Sequence, residues 1–311
     1  MPPYAGEQRG RCAPETTAEH GRTMNHGRYR VVAVAMLMMA ALGAAGCSTR
    51  DAPRPARSSA NHAPSVSVDF RTLDPGAQLR TGAQCARLVR AAPSPEINPA
   101  NADDNHTTGQ RVGPDLFPPG DSPQAARLAP LISGDFAGTT QQILEWAACK
   151  WGIDQDIVFA QAAAESSWDQ SHRSDWGTNP ALCPPGHDLG ANGVPGQCPQ
   201  SYGILQTKYT QWRAAWPGIA DSTAMNADVT YAIWRSCFEG DEVWLNHTAT
   251  SAHPYRPGDL WGCIGRWFAG SWYTPAADRY IQRVQRLLAE QVWTQPGFIG
   301  AVLPRRCRRR S

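Results

Sequence analysis

The sequence predicts a mainly α domain behind a long irregular N-terminal leader, and three observations carry that expectation. Four segments of the C-terminal half space their apolar residues at helical intervals. No stretch of that half alternates apolar and polar residues with the period of two that a half-buried strand requires. All twelve tryptophans lie between Trp146 and Trp293, whereas the N-terminal half is rich in Pro, Ala, Arg and Ser and poor in large apolar side chains. Such a half cannot bury enough surface along its whole length to offset its ordering entropy. The expected compact unit is residues 134–295, about 160 residues, an ordinary size for a single core.

The first expected helix starts at Thr139, where Thr139-Thr140-Gln141-Gln142 forms a capping box. It continues through Ile143, Trp146 and Ala147 to Lys150 and stops at Gly152. Asp154 is a good N-cap for a second, which runs through Ile157, Val158, Ala160, Ala162 and Ala163. A third is expected over Asp228 to Cys237, with Val229, Ala232, Ile233 and Cys237 as its apolar stripe. The last covers Ala276 to Val292, with Tyr280, Val284, Leu287 and Leu288 at helical spacing. Ahead of these, residues 67–133 read as a mostly irregular segment, extended along the domain or loose in solvent. Within it Cys85 to Val89 fits a short helix, and Pro93 to Pro119 has the composition of a loop. Residues 296–311 form a basic tail, either a solvated end or an attractor of anionic lipid or wall polymer.

The leader itself divides into three. Residues 1–23 are polar and read as an extension upstream of the true start. Residues 24–46 carry Arg28 and Arg30, then fifteen small or apolar residues from Val31 to Ala45. That run is shorter than the roughly 20 residues of a membrane-spanning helix, and with its positive flank it has the form of a cleaved export signal. Its end, Ala44-Ala45-Gly46-Cys47, resembles the lipobox of bacterial lipoproteins, with Ala44 where Leu is usual. The resemblance implies that Cys47 is lipidated and becomes the new N-terminus; an ordinary signal peptide with a chance cysteine is the alternative. Residues 47–66 then read as a Pro- and Ser-rich tether. Two acyl chains anchor stably, so the expected place is outside the cell membrane, held by lipid and facing the cell wall.

Charge and cysteines fit export. From Cys47 onward 24 basic residues balance 24 acidic ones, and five of the basic residues are in the tail, so Cys47 to Pro304 carries −5. A net-negative body is poor material for phosphate neutralisation, and no nucleic-acid partner is expected. A monomer is. Outside the cytoplasm cysteines tend to pair. Cys183 and Cys198 flank a Pro/Gly-rich loop that a disulfide would staple; Cys237 with Cys263 is the second expected pair and Cys85 with Cys149 the third. Six cysteines allow fifteen connectivities. Zinc at Cys183, His187 and Cys198 is the rival, but the spacing fits no standard finger; neither metal nor cofactor is expected.

The chemistry points to Glu165. It is the only charged residue of the second helix after its first turn. Its neighbours on the same face, Gln161, Ala162, Trp168 and Asp169, include no cation. Desolvation and the negative end of the helix dipole both favour the protonated carboxyl there, as a general acid needs. By themselves these residues fit equally a glutamate that reaches solvent at a helix end.

Four segments then occur in one order: Glu165-Ser166-Ser167, Ser201-Tyr202-Gly203-Ile204-Leu205-Gln206, Trp267-Phe268-Ala269-Gly270 and Tyr280-Ile281-Gln282-Arg283-Val284. Together they resemble the lytic transglycosylases and goose-type lysozymes. In that family a Glu-Ser closing a helix is followed by a Gly-Leu-Met-Gln-like segment, a Tyr-Asn-Ala-Gly and a helix with Tyr-x-x-x-Val. The resemblance covers roughly Asp135 to Trp293. It implies a lysozyme-like fold with a groove for peptidoglycan glycan strands. The implied catalyst is Glu165, protonating the oxygen that leaves N-acetylmuramic acid and then taking a proton from that residue's 6-hydroxyl to close a 1,6-anhydro ring. One carboxylate then suffices where most glycosidases use two. Ser166, Tyr202, Gln206, Trp267 and Tyr280 are the implied substrate-binding residues.

Trp267-Phe268 departs from the family's Tyr-Asn, so Tyr280 or the Trp267 indole would have to position Glu165. Aromatic side chains suit a sugar groove; Trp168, Trp176, Tyr202, Trp267, Trp272 and Tyr273 lie nearest the motifs. Two other readings stay open. One is a hydrolytic muramidase using a second carboxylate, with Asp175 and Asp188 as candidates. The other is a lipoprotein that binds peptidoglycan without cleaving it.

Overall fold

Reciprocal capping boxes start the first two helices of the computed structural model, which describes residues 69–299 except 93, 119 and 187. In helix α1 (Gly82–Arg90) the Thr81 hydroxyl accepts from the Gln84 N–H while the Gln84 side chain accepts from Thr81. Thr139 and Gln142 do the same for α2 (Thr140–Trp151), which ends on left-handed Gly152. Asp154 caps α3 (Gln155–Ser166). Three two-residue strands, β1 (Arg173–Ser174), β2 (Ser201–Tyr202) and β3 (Thr207–Lys208), pair antiparallel in that order. After them come α4 (Gly218–Asp221), α5 (Thr223–Glu239), α6 (Leu260–Ala269) and α7 (Pro275–Glu290). With 47% helix and 4% strand the described chain is mainly helical, and among those residues no helix is long and apolar enough to cross a membrane.

The third expected helix begins five residues earlier than its apolar stripe indicates, at Thr223. Ser222 caps it by accepting from Met225 N–H. Every residue from Thr223 to Phe238 is buried, so α5 is the central rod of the core, enclosed on all sides. Its polar residues are there to hold other segments. Asp228 accepts from Lys150, Trp151 and the backbone N–H groups of Ser133 and Gly134. Arg235 donates to the carbonyls of Leu73 and Asp74 and to Glu239.

Those last contacts correct the expectation for the segment before residue 134. It is neither loose nor merely laid over the domain. Phe70, Val89, Leu116, Phe117, Leu128 and Ile132 belong to the same buried cluster as α2, α3 and α5. Asn98 and Asn101 both donate to the Trp168 carbonyl just past α3, at 2.9 and 2.8 Å. Outside α1, the segment escapes pattern reading because it buries single apolar residues from short 3-10 turns and irregular chain that have no period.

Disulfides join Cys85–Cys149, Cys183–Cys198 and Cys237–Cys263. The first ties α1 to α2, and the third ties α5 to α6. Since Cys183 and Cys198 are bonded to each other, neither offers the thiolate that a zinc site would use. His187, the export signal, Cys47, the tether, Cys307 and the tail beyond residue 299 lie outside the described residues.

Candidate active site

Glu165 sits on the last turn of α3, behind Ala162, Ala163 and Ala164, whose small side chains let α7 pack against this helix. Its carboxyl is half-buried and opens into a cavity of about 720 Å³. One wall is the turn between β2 and β3. Gly203 there has φ +81°, and a Cβ would lie 2.3 Å from Asn226 Nδ2, so only glycine fits. Asn226 of α5 pins the turn, accepting from Leu205 N–H and donating to the Tyr202 carbonyl. The opposite wall comes from α6 and α7. Gly265 permits their close approach, since a Cβ there would meet Ala277 and Ile281. Trp267 and Phe268 of α6 thereby flank Tyr280 of α7.

The Tyr280 hydroxyl donates a hydrogen bond to Glu165 Oε1. Phe268 lies flat on the Tyr280 ring, with centroids 4.8 Å apart and planes within 4°. The Trp267 indole N–H donates to the Leu205 carbonyl at 3.1 Å. Of the two residues available to orient Glu165, Tyr280 makes the direct bond.

Burial pushes the Glu165 carboxyl up to about 7. The Tyr280 hydrogen bond and the Arg283 charge pull it back only in part, Asp175 pushes it further up, and the Trp267 indole again lowers it. No cation among the described residues comes within 4.0 Å of Glu165. Burial and the Glu165 charge together hold the Tyr280 phenol far above its ordinary range, so it stays a donor.

A second carboxylate lines the same cavity. Burial raises Asp175, but hydrogen bonds from Ser201 Oγ (2.7 Å) and Lys208 Nζ (3.2 Å), with the Lys208 charge, outweigh it and hold the acid below its ordinary value. The cavity therefore pairs one acid that holds its proton more tightly than usual with one that gives it up more readily. Asp188, the other candidate, pairs with Arg173 at 2.9 Å and does not line the cavity.

Of the expected binding residues, Gln206, Trp267 and Tyr280 line the cavity. Ser166 and Tyr202 do not, which corrects the expectation for both. Ser166 is 5% exposed; its hydroxyl donates to the Ile204 carbonyl and accepts from Asp169 N–H, clamping the end of α3 to the turn. Tyr202 is fully buried and donates to the Pro199 carbonyl. Gln206 is itself engaged, with Oε1 accepting from Ser174 Oγ at 2.6 Å and Nε2 donating to the Gly203 carbonyl at 2.7 Å.

Trp168 and Trp272 are core residues. The indoles that join Trp267 in the cavity wall are Trp212 and Trp244, with Arg266 beside them. Neither indole belongs to a motif or an apolar stripe, so no local signal marks them. Compared with known proteins, the chain matches no family model, no curated protein and no solved structure. The site is therefore described by its own geometry: a carboxyl whose proton affinity burial raises to about 7, opening into a cavity walled by Trp212, Trp244 and Trp267.

Proposed function

We propose that the protein is a peptidoglycan lytic transglycosylase of lysozyme-like fold, exported and lipid-anchored, that cleaves the MurNAc–GlcNAc β-1,4 bond and leaves a 1,6-anhydromuramic end. The observation that carries the reading is Glu165, a carboxyl protonated up to about pH 7 that opens into an aromatic cavity with the Tyr280 hydroxyl on its oxygen. As acid it protonates the glycosidic oxygen. As carboxylate, steadied by Tyr280, it takes the proton of the muramic 6-hydroxyl, which attacks the anomeric carbon. Three disulfides favour an oxidising compartment and hence export.

Asp175 favours a second reading, a hydrolase in which this ionised carboxylate activates water. Mass spectrometry of fragments released from purified sacculi separates the two. Anhydromuramic ends are expected from the purified protein; reducing muramic ends would replace this reading with the hydrolase, and binding to sacculi without release would leave a glycan-binding lipoprotein.

Tyr280→Phe tests the positioning of the acid. Losing one hydrogen bond to a charged group is expected to lower the rate about ten- to hundredfold. Because that bond pulls Glu165 down, its loss also moves the alkaline limb of the pH–rate profile upward. A profile left unmoved would remove Tyr280 from the mechanism.

A further inference from the structure

Arg266 is the residue of the cavity whose placement the proton-transfer chemistry leaves unexplained. It directly precedes Trp267 on α6, and successive helical residues point about 100° apart. Trp267 faces the Glu165 side, while the Arg266 guanidinium lies against Trp212 and Trp244, 5.7 and 5.4 Å from their ring centroids. The side chain is 8% exposed. Its Nε forms an ion pair with Glu242 Oε2 at 2.5 Å, in a geometry that is not a hydrogen bond for either atom, and Glu242 is 1% exposed. Its two terminal nitrogens have no hydrogen-bond partner among the described residues, and the residue lines the cavity. A guanidinium ion-paired at one edge, lying against two indoles and with its terminal nitrogens free toward the cavity can receive a planar anion.

The charge of the cavity agrees. Lys208, Arg266 and Arg283 line it, against Asp175, which pairs with Lys208, and Glu165, whose proton affinity burial raises. In a body that sums to −5 from Cys47 to Pro304, a groove lined by an excess of cations is selected for an anionic ligand.

We propose that Arg266 receives a carboxylate of the glycan strand, so that the site selects strands bearing a free carboxylate where Trp212 and Trp244 hold the sugar. The inference rests on the peptidoglycan reading above. A muramic residue offers that group in one of two ways: its own lactyl carboxylate when no peptide is attached, or a peptide carboxylate when one is.

The test uses the purified full chain with stem-free and stem-bearing strands, each with carboxyls left free or converted to amides. Binding is read from tryptophan fluorescence and cleavage from released ends. Amidation is expected to weaken binding about tenfold or more for one strand type; stem-free strands would identify the lactyl group and stem-bearing strands the peptide. Arg266→Gln should bring the ratio of amidated to free affinity close to one. Arg266→Gln with Glu242→Gln should do the same without leaving a buried acid unpaired, and its melting temperature reports folding. Equal binding of amidated and free strands by the wild type, or full discrimination by a folded double variant, would overturn the proposal. Absence of cleavage with carboxylate-dependent binding would instead sink the enzymatic reading and leave this one standing.

Discussion

Glu165→Gln is expected to abolish the release of glycan fragments, lowering the rate about a thousandfold, and at the same time to stabilise the protein at neutral and alkaline pH. Both effects have one origin. Burial holds the carboxyl at about 7 rather than 4.5, so the folded chain binds this proton more tightly than the unfolded chain does. The stabilisation is fully present below about pH 4.5 and is lost as pH rises through 7. With the carboxyl ionised the fold loses roughly 2–3 kcal/mol, allowing for the solvent that reaches the cavity. Gln keeps the shape of the protonated acid, accepts from Tyr280 and cannot ionise. Its melting temperature should match the wild type near pH 4.5 and exceed it increasingly to pH 8. The wild-type rate should fall above pH 7. Equal melting at pH 8 would show that the carboxyl is not held under strain; undiminished cleavage would remove it as catalyst.

The second large effect is expected at Lys150→Met, a loss of about 3–5 kcal/mol of stability with the active-site residues untouched. Lys150 is 3% exposed and its ammonium lies 2.6 Å from Asp228, which is fully buried. Asp228 also accepts from the Trp151 indole (2.7 Å) and the N–H groups of Ser133 (2.8 Å) and Gly134 (2.9 Å). These bonds fasten α2 and the segment before it to the central rod α5. Removing the cation leaves a carboxylate in the core with donors but no counter-charge, and that costs more than the pair itself contributes. Lys150→Met with Asp228→Asn removes both charges and should recover part of the loss. Urea denaturation of the single and double variants measures the coupling. A loss below about 1 kcal/mol for Lys150→Met would show that water reaches Asp228.

Several elements were legible because the interactions that form them span only a few residues. Thr139 with Gln142, Asp154 and Gly152 mark helix ends through bonds to nearby backbone, and the structure has them at those positions. Helix α6 was not legible, although Asp259 caps it by accepting from Gly262 N–H. Gly262 and Gly265 read as breaks in a helical pattern. They are glycines because Trp272 and Ile281 occupy the space a Cβ would need, 2.3 and 2.8 Å away. Ser166 and Tyr202 lie in the motifs that include Glu165 or follow it, but their hydroxyls are spent on backbone carbonyls, and no local pattern distinguishes a clamp from a ligand.

The sequence by itself determined a mainly helical chain, the ends of α2 and the start of α3, and an acid at a helix end with no cation within one turn. Each of these follows from groups close together along the backbone. Only the tertiary structure decided that the acid is buried, that a phenol 115 residues away bonds to it, and that Trp212, Trp244 and Arg266 complete its cavity. The physical reason is that desolvation and charge act through space. A carboxyl's proton affinity is set by whatever the fold brings beside it, and here those neighbours come from segments far apart in the chain.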